Sequence, residues 1–314
     1  MLEQVLESVQ VVGGSVLTLF LLMTVGFVLG KRGMLTGGTL SQTSQLLLYV
    51  VTPAIIMDSF AMERTPALDR QLLIAGAALA GTYGLYMLLS IALFRRRDPD
   101  ERGILRFASI YGNKGFMGLP LVQAALGSEA TMVAALALAV FNVVIWTHGI
   151  VIIGGRERLS AAKVICNPAA LGFVAALILF LTGLRLPGPV EMTVGYLADL
   201  NTPLAMVVIG AQMAAVDLPA LFRDRRLYLV CVLKLVALPI LTMGVLLPFR
   251  MDATVFMVLV ILSGCPTAGA TSLFSQTMGK DTGLAARLVS LTTLLSILTL
   301  PAVAVAAQWL AGAH

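Results

Sequence analysis

Two lysines, Lys114 and Lys234, stand inside otherwise apolar stretches of this sequence. A charge at membrane depth is costly, and it faces protein, water or a partner rather than lipid. Lys114 lies in Tyr111-Gly-Asn-Lys-Gly-Phe-Met-Gly-Leu-Pro120, in the middle of the apolar run Ile104–Leu126. Its ammonium can be a counter-charge for a carboxylate, or a fixed cation in the place of a coupling ion. It can equally be a donor to the carbonyls of a broken helix. Asn113 beside it both donates and accepts, so it suits a carboxylate or loose backbone groups. A second interruption, Ser263-Gly-Cys-Pro-Thr-Ala-Gly-Ala270, falls between Val255 and Met278 and offers the hydroxyls of Ser263 and Thr267.

These residues need a helix that breaks. Proline removes a backbone donor and clashes with the preceding turn, and glycine weakens a helix by about 1 kcal/mol against alanine. Gly112, Gly115 and Pro120 mark the first break, Gly264 and Pro266 the second. Freed backbone groups cannot turn to lipid, so such breaks are tolerated only inside protein or beside a wet cavity. Half-helix N-termini there present free N–H groups and suit an anion. Two interrupted membrane helices in corresponding halves are the sequence pointer to a secondary transporter's binding site.

Other polar residues frame this pair. Gln45, Tyr49 and Thr52 follow i, i+4, i+7 spacing, which places them on one helical face that either lines a cavity or bonds neighbouring helices. Tyr196, Asp199 and Asn201 are their counterparts 150 or so positions on. Asp199 is either a proton carrier or partner for a lysine, or an acid near a helix end that reaches the interface. Lys234 lies seven residues into its run; it either snorkels to the nearer surface or takes part in coupling. His148 reads as interfacial and Asn142 as an interhelical bond. The loop arginines are topology signals rather than a ligand site.

The composition demands a membrane. Of 314 residues 59% are hydrophobic and only 12% charged, and the mean hydropathy is +0.95, whereas soluble domains carry roughly 25% charge. The net charge of +5 comes from basic residues in short loops, which argues against nucleic acid. Glu3 and Glu7 give the first run the wrong flank for a cleaved signal peptide. Cys166, Cys231 and Cys265 show no disulfide or metal spacing and read as small buried hydrophobes. No cofactor is implied.

A span needs about 20 mostly apolar residues. Ten runs qualify: Val11–Gly30, Leu40–Ile56, Leu72–Phe94, Ile104–Leu126, Met132–Ile153, Val164–Gly183, Met192–Met213, Leu227–Leu247, Val255–Met278 and Leu284–Leu310. With both termini outside, fifteen of the 21 lysines and arginines fall in cytoplasmic loops and four in external ones, as the positive-inside rule requires. Thr52-Pro53 matches Thr202-Pro203, Pro120 matches Pro266, and Gly30 matches Gly183, at similar offsets. Five runs per half force the second half to enter the membrane from the opposite side. The expectation is an all-α integral membrane protein of two inverted five-helix repeats, residues 1–153 and 154–314.

Gly112-Asn-Lys-Gly-Phe-Met-Gly-Leu-Pro120 resembles the Gly-Asn-x-Gly-Phe-x-Gly-x-Pro break of the auxin efflux carrier family, in its short bacterial form. Asn167-Pro168, Pro203-Leu-Ala-Met-Val-Val-Ile-Gly210, and Lys234 followed by Pro239 are similar too. The resemblance implies ten helices, with one, two, six and seven as a scaffold, often dimeric. Helices three to five and eight to ten would form a moving domain in which broken helices four and nine cross. It implies elevator-like transport of an organic anion, a dicarboxylate or auxin-like acid, in the bacterial inner membrane. Asn113, Pro120 and Pro266 would mark the crossover; Lys114 departs from the small or hydroxyl residue common there. The expected substrate site is Asn113, Lys114, Thr52, Asn201 and Thr267. Asp199, Lys114 and Lys234 are the candidates for H+ or Na+ coupling. A passive channel is the chief rival. An intramembrane hydrolase would need a deep nucleophile–base pair or metal cluster that the sequence does not offer.

Overall fold

The computed structural model describes residues 2–158, 168–249 and 251–312, and among them the fold is all-α with no strand. A backbone in hydrocarbon must bond to itself, and helices do so within one segment. Seven helical stretches among the described residues are long and apolar enough to span, where the sequence suggests ten runs. The difference has local causes. The breaks leave pieces too short to count, Pro99–Ile110 and Ala253–Ser263. Lys114–Gly154 joins two runs as one stretch, although Gly127 at φ 82° turns the chain between them. Pro168–Thr182 is the described part of the sixth run. Cys166 and Asn167 lie outside the described residues.

Four π-helical turns interrupt the helices, at Leu47–Val51, Lys114–Gly118, Ile145–Gly149 and Leu233–Ala237. Three of them are followed two residues later by a proline, namely Pro53, Pro120 and Pro239. The ring cannot donate to the carbonyl four residues back, and a wider turn makes room for it. The first of these turns also corrects the polar stripe. Bonding from i to i+5 shifts the register, so Gln45 and Tyr49 are exposed while Thr52 is buried.

Small residues set the closest packing. Leu2–Lys31 lies along Asn201–Ala214 with Gly26 against the Val207 backbone and Gly210 against that of Met23. A side chain at either glycine would push the helices apart, the role small residues play between membrane helices. Thr52–Ser59 packs on Pro168–Thr182 and Gly188–Asp199, with Phe60 edge-on to Phe173 and Phe180 at 5.5 and 5.8 Å. Elsewhere Ala253–Ser263 packs between Thr282–Ala311 and Leu119–Val144, and Pro66–Phe94 against Pro99–Ile110.

At one end an ion network ties three elements. Arg226 pairs with Glu101 on Pro99–Ile110 and, at 2.8 Å, with Asp224; Arg287 on Thr282–Ala311 reaches Asp224 at 3.5 Å. Asp224 also caps Arg225–Val232 by accepting from the Arg226 N–H at 3.1 Å. Hydrogen bonding to Arg226 holds the Asp224 carboxyl below the usual carboxylate range, against the opposing effect of burial. Asp224→Asn is expected to cost about 1 kcal/mol of stability, allowing for the partly exposed arginine. A lowered pKa means the contribution is intact above the ordinary carboxylate value of about 3.9 and fades only as pH falls through the lowered one. The gap in apparent Tm between wild type and variant should therefore be flat from about pH 8 to 5 and close in stronger acid. A gap that closes near neutral pH would contradict this.

Candidate functional site

The two interruptions meet. Gly112 and Thr267 pair antiparallel. Asn113 N–H donates to Pro266 O at 2.7 Å and Ala268 N–H to Tyr111 O at 2.9 Å. Each break thus satisfies backbone groups that the other set free. Gly112 is required by this approach, because a Cβ there would lie 2.9 Å from Lys234 Nζ and 3.0 Å from Cys265 O.

The remaining groups are also accounted for. Asn113, at φ −75° and ψ 67°, is the centre of an inverse γ-turn in which Lys114 N–H donates to Gly112 O at 2.8 Å. Its carbonyl accepts from Met117 and Gly118 at 3.3 and 3.0 Å. Its Oδ1 caps the second half-helix by accepting from Phe116 N–H at 3.2 Å. Thr267 N–H donates to Thr292 Oγ1 at 3.1 Å, and Thr267 Oγ1 donates to Ala108 O at 2.9 Å, an orphan carbonyl of Pro99–Ile110. Ser263 Oγ donates to Val260 O. Pro120, Pro266 and Gly264 are buried around this junction, and Gly115 faces Leu138.

The lysines divide the work. Lys234 does not snorkel: it is 1% exposed, and its Nζ donates to Ser263 O at 3.2 Å, at the C-terminal end of Ala253–Ser263. A cation there meets both a free carbonyl and the negative end of the helix dipole. Lys114 is 5% exposed and sits over the Tyr83 ring, 4.5 Å from its centroid. Among the described residues its ammonium makes this ring contact and no hydrogen bond or ion pair. The freed carbonyl of Ser263 is thus held by Lys234, not by Lys114.

The neighbouring elements bring further polar groups. Asn201–Ala214 packs on Lys114–Gly118. Asn201 at its start is 1% exposed, and its Nδ2 lacks a partner. Thr52 is buried at the start of Thr52–Ser59, which packs on Leu119–Val144. Asp199 ends Gly188–Asp199 and is exposed. Tyr196 is exposed too. A cavity of about 510 Å³ is lined by Asp58, Glu63, Arg64, Arg185 and Glu191 among others. Its charges partly pair off, Arg185 with Glu63 at 3.2 Å and Arg64 with Asp69 at 2.9 Å.

Sequence reasoning missed the aromatic floor. Tyr83 stacks near Tyr111 (6.2 Å) and Tyr86 (6.2 Å), its hydroxyl is buried without a partner, and Tyr86 OH bonds Thr242 Oγ1. Tyr83 and Tyr86 sit in a long uninterrupted apolar helix, so no local signal separates them from core. Thr292 is equally silent, one hydroxyl among several in Thr282–Ala311.

A family model described as membrane transport protein matches residues 11–164 and 157–304. A protein of Rhizobium meliloti (strain 1021) named "Putative malonate transporter" is 25% identical over 299 residues, covering 91% of this chain and 92% of that one.

Thr267→Val keeps the shape and removes the bond to Ala108 O. Its expected result is a loss of apparent Tm equivalent to about 1–3 kcal/mol, the cost of an unsatisfied buried carbonyl, with substrate KM unchanged. A raised KM with normal Tm would make Thr267 a ligand-binding residue instead.

Proposed function

The chain belongs to the membrane transport protein family, which includes the auxin efflux carriers, and from that premise we propose that it is a secondary carrier or uniporter for a small organic anion. The observation that carries this reading is the Lys114 ammonium, in a residue buried at the meeting of two broken helices, over the Tyr83 ring and with no hydrogen bond or ion pair among the described residues. An unpaired buried cation is costly, and a carboxylate removes that cost. Asn113 Nδ2 and Asn201 Nδ2 supply neutral donors nearby in the fold, and Thr52 lines the same approach. Thr267 and Gly112 hold the frame, as do Gly115, Pro120, Gly264 and Pro266. The name of the Rhizobium meliloti relative supports a dicarboxylate of malonate size.

The finer architecture belongs to the same reading. Ten spans in two inverted halves, 1–153 and 154–314, place the breaks in helices four and nine, which cross. Helices one, two, six and seven pack on one another and form the scaffold, through which two copies associate. Helices three to five and eight to ten move as a unit in an elevator-like step, held together at one end by the Glu101–Arg226–Asp224–Arg287 network. The bias of basic loops supports an inner-membrane location with both termini outside. Lys234, tethered to Ser263 O, stands as a built-in cation. That placement favours transport without Na+, and Asp199 on the outer face is the remaining candidate for a proton step. A passive channel would also use a positive constriction, but it would show no counterflow.

Lys114→Ala is expected to abolish transport in liposomes while leaving expression and apparent Tm close to wild type. The wild type should be stabilised by malonate and other dicarboxylates by mass action, and the variant should not be. Stabilisation only by neutral or cationic compounds, or full transport by the variant, would defeat the counter-charge role. Saturable, counterflow-competent flux separates a carrier from a channel.

A further inference from the structure

The second cavity, about 290 Å³, is lined by Pro99, Arg102, Gly103, Arg106, His148, Val151 and Ile152. At ~30 Å³ per water it has room for roughly ten waters, or for a small organic ion. Among the described residues no Asp or Glu lines it. Arg102 and Arg106 stand at i, i+4 on Pro99–Ile110 and so share one face, where like charges repel. Both are half-buried, as is His148 across from them. Arg106 Nε donates to Ser90 Oγ at 3.4 Å, which orients the guanidinium and leaves its other N–H groups for the cavity. Glu101, on the same helix, is taken by Arg226.

The cavity is wired to the junction. His148 Nδ1 and Tyr111 OH are 2.9 Å apart, and Tyr111 OH also donates to Val144 O at 3.2 Å. Tyr111 is the first residue of the first break, its carbonyl accepts from Ala268, and its ring lies 6.2 Å from that of Tyr83, over which Lys114 sits. The same short helix therefore carries the cationic cavity at one end and the crossing at the other.

We propose that this cavity is a second anion site, a way-station that takes a small dicarboxylate on the Arg102–Arg106 side before or after it occupies the junction. The proposal rests on the carrier reading for its direction of use, and it changes the role of two loop arginines from topology signals to ligands. Two guanidiniums and an imidazole can hold two carboxylate groups at once, with charge-assisted bonds that a neutral solute does not earn. An anionic lipid headgroup shares part of this chemistry.

The test uses the full chain in nanodiscs of zwitterionic lipid and in oriented vesicles, with malonate as the probe. Arg102→Gln/Arg106→Gln should raise the malonate KM on the arginine side by at least roughly tenfold, the loss expected of charge-assisted bonds, and leave KM on the opposite side unchanged. Arg102→Lys/Arg106→Lys should recover most of it. Calorimetry should find two malonate sites per wild-type chain and one in each of the Gln pair and Lys114→Ala. Equal loss from both sides with a lowered Tm would assign the arginines a structural role and overturn the site. So would an effect that needs anionic lipid and no competition by malonate. If Lys114→Ala abolishes transport while the Gln pair changes neither KM, the way-station fails and the carrier reading stands. If malonate binds the arginine cavity but transport survives Lys114→Ala, the way-station stands and the role of Lys114 fails.

Discussion

Every polar group that a broken membrane helix releases has to find a partner inside the protein, and the rest of this structure depends on how that is done. Here the two breaks are each other's partners. Asn113 N–H meets Pro266 O, Ala268 N–H meets Tyr111 O, and Thr267 closes on Ala108 and Thr292. The pairing is only about three residues wide on either side. It needs glycine at 112 because Lys234 Nζ and Cys265 O come within 3.0 Å of where a Cβ would sit. Helices Pro99–Ile110, Ala253–Ser263 and Thr282–Ala311 are consequently fixed around one point. A change at any of them is felt at the others through these backbone bonds and the threonine hydroxyls that join them.

This arrangement explains why two buried lysines differ. A cation can repair a broken helix by bonding its exposed carbonyls, and Lys234 does so at Ser263. Once that post is filled and the other carbonyls are paired across the junction, Lys114 has no backbone to serve. It rests on an aromatic face, worth on the order of 1–2 kcal/mol when desolvated, which does not replace a counter-charge. The fold thus over-determines the position of an ammonium that it does not satisfy. Asn201 Nδ2 and Tyr83 OH, both buried without partners, show the same excess of polar capacity close to the membrane-spanning core. Under the carrier reading a bound carboxylate would complete this bonding.

Much of this was legible in the sequence. The positions of Gly112, Pro120, Gly264 and Pro266 announced both breaks, because glycine and proline act locally and their effect does not depend on neighbours. The two lysines stood out for the same reason, as did the membrane class. What could not be read was which break atom met which. Hydrogen bonds between residues about 150 positions apart follow from tertiary docking, and a threonine that caps a distant carbonyl looks identical to one that binds a solute. The Gln45–Tyr49–Thr52 face failed because it assumed 3.6 residues per turn through a segment that a proline had widened. Pro53 carried that information, as Pro120 and Pro239 do for their own turns, whereas Pro301 sits in the continuous helix Thr282–Ala311.

The prolines also bear on motion. Three of the four π turns precede a proline, and each lies in a helix that contributes to the buried polar centre, at Thr52, Lys114 and Lys234. A π turn leaves the i→i−4 ladder without breaking the helix, so it is a place where a helix can change its bend at small cost. The junction itself cannot flex in this way, since loss of its paired backbone bonds would expose donors and acceptors with no water to take them. Rigidity at the crossing and compliance beside it are what a solute site needs if it is to travel intact. Under the elevator reading the ligand would keep its bonding geometry while the flanking helices absorbed the displacement. A helix bundle with the same polar groups but no paired break would have to dismantle its site in order to move it.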